Sequence, residues 1–200
     1  MFYYKSKGKV ALKVLMIDTE FNRGGAAKIA RTLYQALNKR DEITCYFAYG
    51  RGKGPEEETI YKFVFLPEIY FQGFLTRITG LQGYGNRFST KRLEDYIHRE
   101  QFDLIHLHNI HGYFLNLGFI NFLKKLNMPV LWTLHDGWSI TGRCACWFNC
   151  EKWKVGCENC PDLSPYPKSF IDSTSFMWKK KELFFVRMDS CYCLSFTMVG

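Results

Sequence analysis

Short apolar runs alternate with segments of helical period through most of this chain, and that alternation leaves few folds open. Residues 13–18, 44–49, 103–108 and 128–134 are nearly continuous in apolar character, as strands buried on both faces of a parallel sheet must be. Residues 61–66 are a further strand candidate. Between them, residues 26–39 set Ile29, Ala30, Leu33, Ala36 and Leu37 on one helical face, with Arg31, Gln35 and Lys39 outward. Residues 90–100 read as a helix with Ser89 or Thr90 as N-cap, 114–126 as a strongly apolar helix, and 172–185 as a helix capped by Asp172 or Ser173. Residues 67–90 show no clear period. The pattern predicts an α/β fold, a doubly wound parallel sheet of Rossmann-like type. Ligands of such sheets sit beyond the carboxyl ends of the strands, where Gly24-Gly25, His108-Asn109 and His135-Asp136 all fall.

Residues 137–168 break the alternation with three tryptophans, five cysteines and Pro161, Pro165 and Pro167. They read as an irregular, Cys-rich insert within one domain spanning residues 1–185, leaving 186–200 as a tail without pattern. Two hundred residues suffice for one compact domain with a sizeable core. No apolar run reaches the roughly 18 to 20 residues of a membrane span. The basic start, residues 1–9, leads into a run interrupted by Lys13 and lacks a signal-peptide cleavage site, so a cytoplasmic protein is expected. The net charge of +8 favours acidic partners: nucleic acid, anionic lipid headgroups or a phosphorylated ligand.

Several residue groups carry candidate chemistry. The turn 22–25, ending in Gly24-Gly25, opens a helix whose first amides and dipole suit a phosphate, and glycine lets the backbone approach it. Neither a GxGxxG fingerprint nor a P-loop lysine motif is present, which argues against nicotinamide and kinase chemistry. His106 and His108 share a strand face by alternation, with His111 just beyond. His135-Asp136, at a strand end, suits bonding a hydroxyl or passing a proton. Cys144, Cys150, Cys157 and Cys160 form C-x5-C-x6-C-x2-C, with Cys146 a fifth. They read either as a structural zinc clamp, four thiolates leaving no open position, or as free thiols or a redox-labile disulfide.

Longer motifs follow in order: residues 103–113 (DLIHLHNIHGY), 131–138 (LWTLHDGW), 141–144 (TGRC), 150–157 (CEKWKVGC), 160–161 (CP), 165–168 (PYPK) and 178–184 (WKKKELF). Across residues 13–184 the chain resembles the amino-terminal domain of family 4 glycosyltransferases, in a bacterial branch that builds capsular or exopolysaccharide repeats. The resemblance implies the N-terminal, acceptor-side half of a GT-B fold, in which two Rossmann-like domains face each other and the second grips a nucleotide-sugar. It implies that Gly24 and Gly25 touch the donor diphosphate, that His135 with Asp136 serves the transferred sugar, and that His108, Asn109 and His111 face the acceptor. It further implies retention of configuration, no cofactor for catalysis, a lipid-linked saccharide acceptor and peripheral membrane contact. Arg143 and Ile140 depart from the branch, where a histidine and an aromatic are common. Residues 186–200 match nothing of the family, so a chain truncated before the donor-binding domain, and inactive alone, is expected. Two other readings compete: a basic, zinc-clamped nucleic-acid-binding module, and a fragment without function.

Overall fold

The computed structural model describes residues 11–126, 128–185 and 191–195. The basic start and tail residues 186–190 and 196–200 lie outside the described residues. Six strands pair in one sheet: β1 (Leu12–Glu20), β2 (Ile43–Arg51), β3 (Ile60–Lys62), β4 (Leu104–Leu107), β5 (Val130–Leu134) and β6 (Cys191–Ser195). Every pairing is parallel, in the order β3-β2-β1-β4-β5-β6. The expected doubly wound α/β sheet is therefore present. Its order reverses between β1 and β4, and a reversal of that kind opens a crevice at the strand ends.

β1 shows why the sheet is covered on both sides. Leu15 and Ile17 enter one apolar cluster, while Val14 and Met16 enter another behind the sheet. Helix α1 (Gly25–Leu37) seals the second cluster with Ala27, Ala30 and Tyr34. Helices α3 (Arg87–Glu100) and α4 (Gly118–Lys125) seal the first, through Leu93, Tyr96, Ile97, Phe119, Ile120 and Leu123. Each such side chain contributes roughly 1.5–3 kcal/mol on burial.

Several expectations need correction. Ile29 and Ala36 of α1 are exposed. Tyr34 sets the helix register instead, its ring edge-on to Phe21 and Phe47 at 6.0 and 5.9 Å. The third strand is only three residues long, because Leu66 already opens helix α2 (Leu66–Thr79), with Pro67 in its first turn. Neither Ser89 nor Thr90 caps α3, which starts at Arg87 after Asn86 in left-handed conformation. The Glu68 carboxylate of α2 accepts the Phe88 and Ser89 amides at 3.0 and 2.8 Å and so serves as the cap. Thr90 Oγ1 accepts the Asn116 amide at 2.9 Å. Helix α4 starts four residues late, at Gly118, leaving Phe114, Leu115 and Leu117 buried in the loop before it. The last helix, α5 (Thr174–Phe185), follows Asp172, whose Oδ1 accepts the Thr174 amide at 2.9 Å as expected. Part of the patternless tail, Cys191–Ser195, adds β6 beside β5. The insert has only one regular turn, Lys152–Lys154. Among the described residues, no helix is long and apolar enough to cross a membrane.

Candidate active site

The strand-order reversal brings three connections to one rim: the turn after β1, the loop after β4 and the segment after β5. After Glu20 the chain turns through Gly24, whose φ of 100° suits glycine, into α1. No side chain caps this helix, and a Cβ on Gly24 or Gly25 would meet nothing within 4 Å. The first turn thus faces a cavity of about 190 Å³, which Arg23, Arg51, Asn109, His111 and Tyr166 also line. Helix-start amides beside two guanidiniums suit a phosphate or diphosphate.

Loop to loop, the rim is tied by backbone. Thr19 Oγ1 donates to the His111 carbonyl at 2.7 Å, and an Arg51 guanidinium nitrogen donates to the Gly112 carbonyl at 3.2 Å. Gly112 has a φ of 107°, and a Cβ there would lie 3.0 Å from Thr19 Cγ2. Asp18, at the floor, is almost wholly buried. Its Oδ1 accepts the Thr19 amide at 2.6 Å, while Oδ2 has no partner. Burial above all pushes the Asp18 carboxyl up to about 7, with Glu20 and Asp136 adding to the effect against the Thr19 and Asn109 amides.

Because the fold raises this pKa from 3.8, the stability Asp18 contributes is fully present below about pH 4 and is lost as pH rises through 7. Ionising it inside the fold costs roughly 4 kcal/mol, of which a buried amide would retain about half. Asp18→Asn is therefore expected to stabilise the protein by about 2 kcal/mol at pH 8 and to destabilise it by roughly 2 kcal/mol at pH 4. Urea midpoints at the two pH values check this, and equal shifts at both would contradict it.

Beyond β4 and β5 the imidazoles gather. His106 Nε2 pairs with Thr133 Oγ1 at 2.9 Å, and its ring lies 4.2 Å from that of His108. His108 Nδ1 and His135 Nε2 are 2.9 Å apart, one ring donating and the other accepting. Trp132 Nε1 donates to the His108 carbonyl at 2.8 Å, holding the segment down. Burial drives His106 down to about 4, with His135 adding; it drives His108 down to about 2, with His106 and His135 adding. Burial also lowers His135, against the pull of Asp136. The His108–His135 pair is thus neutral at pH 7 and can hydrogen-bond a hydroxyl without presenting a fixed charge.

His111 Nε2 meets Asp136 Oδ2 at 2.7 Å, and Asp136 Oδ1 accepts the Trp138 amide at 2.9 Å. Burial pushes the Asp136 carboxyl up, but the His111 hydrogen bond and charge, the Trp138 amide and His135 outweigh it and hold the group below its ordinary value. Trp138 stacks on His111 with ring centroids 5.3 Å apart, and its Nε1 donates to Gln82 Oε1 at 2.5 Å. A second cavity, lined by Gln82, Tyr113, Trp138, Tyr166 and Pro167, shares His111 and Gly112 with the phosphate-sized one. An aromatic wall bordering a polar rim is a surface on which a sugar ring can stack while its hydroxyls find partners.

The Cys-rich insert is braced by two buried basic side chains. The Arg143 guanidinium donates to the carbonyls of Asp162, Leu163 and Pro165, each at 3.1 Å, and to that of Pro167. Lys181 of α5 is fully enclosed; its Nζ donates to the Trp138 and Thr141 carbonyls at 2.6 and 2.9 Å and lies 4.0 Å from the Trp138 ring centroid. Cys144, Cys146, Cys150, Cys157 and Cys160 are free thiols. Burial raises Cys144 and Cys157, and neighbouring cysteines raise them further. Among the described residues, no three His, Cys, Asp or Glu side chains are grouped so as to hold a metal ion, so a zinc clamp would need these thiols drawn closer together.

The structure brings together Gly24, Gly25, His108, Asn109, His111, His135 and Asp136 on one rim, with Asn109 and His111 shared between the glycine end and the His135 end. Asp18 and Arg51 carry no sequence signal of a site role, and Tyr166 and Lys181 only their places within the motifs 165–168 and 178–184. Trp138 had one signal, its place at the end of the motif 131–138.

Residues 23–188 match the family model described as Glycosyltransferase Family 4. The chain is 31% identical over 196 residues to the putative colanic acid biosynthesis glycosyl transferase WcaC of Escherichia coli (strain K12). That alignment takes in 91% of this chain and 47% of the relative, so the chain spans about half the length of the curated protein it matches. With a reversal-point rim on an all-parallel sheet and a family match over most of its residues, the chain belongs to glycosyltransferase family 4.

Proposed function

We propose that this domain is the acceptor-side half of a retaining hexosyltransferase, which moves a sugar from a nucleotide-sugar onto a lipid-linked saccharide in cell-surface polysaccharide synthesis on the cytoplasmic side. One observation carries the reading. The diglycine helix start and the His108–His135 pair share a rim at the sheet's reversal point, bridged by Asn109 and His111. In this reading the amides at Gly24 and Gly25, with the α1 dipole and Arg51, take the donor diphosphate and stabilise the charge that develops as it leaves. His135, kept neutral and oriented by His108, bonds a hydroxyl of the transferred sugar. Asp136 and His111 hold the neighbouring loop, and Asn109 and the aromatic wall receive the acceptor.

The name of the relative, which refers to colanic acid biosynthesis, supports an exopolysaccharide setting. The donor's nucleotide belongs to a second Rossmann-like domain facing this rim. The chemistry routes nothing through a metal; elemental analysis reads the insert's zinc separately.

The test has two arms. Alone, the 200 residues are expected to bind pyrophosphate weakly and to turn over nucleotide-sugars only at background rate. Gly25→Val should abolish pyrophosphate binding, and robust turnover by the isolated chain would overturn the division of labour. With a donor domain supplied in trans, His135→Ala is expected to lower kcat/KM about 100-fold while pyrophosphate binding is kept. An unchanged rate would remove His135 from the chemistry.

A further inference from the structure

The cavity at the start of α1 has in its floor a carboxyl with little to hold a charge. Along β1, Val14 and Met16 enter the cluster that α1 covers, and by the same alternation Asp18 follows them, with Tyr49 of β2 as its register partner. Asp18 is 1% exposed and lines the cavity together with Gly24, Gly25, Ala26 and Ala27. The Thr19 amide fixes Oδ1 as an acceptor at 2.6 Å. Oδ2 is enclosed and without a hydrogen-bond partner, although Arg23 and Arg51 line the same cavity. A buried polar atom left open at the mouth of an uncapped helix is a place where a ligand, or the proton that comes with it, alters the balance.

An ionised Asp18 beneath a diphosphate would repel it through protein rather than through water, where like charges act more strongly. The groups on every side leave that repulsion in place. Glu20, next on the same face of β1, and Asp136, beyond β5, add negative charge. Helix α1 brings no acidic side chain in its first turn. Arg23 of the turn and Arg51 of β2 offer the anion positive charge, and His111 and Tyr166 complete the lining. The Thr19 and Asn109 amides favour the ionised carboxyl, but burial outweighs them and sets the group at about 7. Asp18 therefore exchanges its proton in the neutral range, where a bound anion can tip it.

We propose that this cavity takes its anion together with a proton: Asp18 must be uncharged for a diphosphate to sit at the α1 start, so binding draws a proton from solvent onto Oδ2. The inference rests on the diphosphate reading above and adds a condition to it. Asp18 is a positioning residue here, acting through the field at the helix start, and its carboxyl need not touch the ligand.

Titration calorimetry of the full chain tests it, with symmetrical dimethyl diphosphate as the probe. Both charges of this diester stay fixed between pH 6 and 8.5, so any pH dependence belongs to the protein. Wild type should bind about tenfold more tightly at pH 6 than at pH 8.5. In buffers of different ionisation enthalpy it should take up about half a proton or more per anion near pH 7.5, and almost none at pH 6. Asp18→Asn keeps the shape without the charge. It should take up no proton and bind at pH 8.5 within about threefold of wild type at pH 6. His111 is the other proton acceptor lining the cavity, so uptake that persists in Asp18→Asn would overturn the proposal. Infrared difference spectra need no variant. At pH 8 the anion should bring out the carbonyl stretch of a protonated carboxyl in wild type, a band no imidazole gives, and its absence would refute the idea. Binding without pH dependence or uptake would sink the coupling and leave the diphosphate site standing. A wild-type chain that ignores the probe even at pH 6 would remove both. Sugar transfer plays no part in these readings.

Discussion

Arg143→Ala is expected to lower the unfolding free energy by about 4 kcal/mol and to loosen residues 162–167 first. The guanidinium is 3% exposed and supplies donors to four carbonyls that approach it from one side of a loop without secondary structure. Removing it leaves those acceptors facing a hole, and bonds to a charged donor contribute more than neutral ones do. Lysine should not rescue the loss, because one ammonium cannot match the planar fork. Histidine, which the family resemblance leads one to expect here, has at most two N–H groups and should recover only a fraction. Urea unfolding gives the magnitude, and amide exchange locates it. A loss under about 1 kcal/mol, or exchange that quickens uniformly, would show that the guanidinium does not organise this loop. Tyr166 and Pro167 line the candidate acceptor cavity, so the variant should also raise the acceptor KM.

Lys181→Ala should cost about 3 kcal/mol at pH 8.5 and clearly less at pH 6. Two carbonyls lose their donor, and a cavity opens beneath Trp138. The pH dependence comes from linkage. Burial pushes Lys181 down to about 7 from 10.5, against Cys157, Cys144 and Asp136. Below 10.5 the unfolded chain takes up a proton that the folded protein accepts only near pH 7. The wild type therefore loses stability as pH falls from about 10.5 to about 7 and changes little below that. Alanine has no such proton to exchange, so the gap between the two proteins narrows toward acid. A gap that widened toward pH 6 would refute the assignment of a neutral buried amine. A weaker Trp138–His111 stack should accompany the loss, visible in tryptophan fluorescence.

The parts of the fold legible in the sequence were those whose burial is apolar on a simple period. Residues 13–18, 44–49, 103–108 and 128–134 all lie on or directly beside strands of the sheet. Helix α2 was illegible for a definite reason: its inward residues are Gln72 and Thr76, and its rings face out, so the usual contrast between faces is inverted. α1 was found with Ala30, Leu33 and Leu37 inward as expected, but Ile29 and Ala36 are exposed and Tyr34 takes the core instead, packing edge-on against two rings. Nothing in Cys191–Ser195 signals a strand; its place follows from pairing along β5.

The site divides the same way. Gly24, Gly25, His108, Asn109, His111, His135 and Asp136 could be named because each lies just past a strand, and parallel pairing alone sends them to one rim. Asp18 read as the last residue of a run, and its raised pKa depends on how loops 90 residues away cover it. Arg143 looked like a family departure until the loop it braces was visible.

The Thr19 hydroxyl bond to the His111 carbonyl spans 92 positions of chain. The pyrophosphate binding proposed at the glycine turn should therefore appear only after distant segments have found each other, which would make it a reporter of complete folding rather than of local helix formation. By mass action, each tenfold rise in the anion above its dissociation constant should add about 1.4 kcal/mol to the resistance of the whole domain against denaturant.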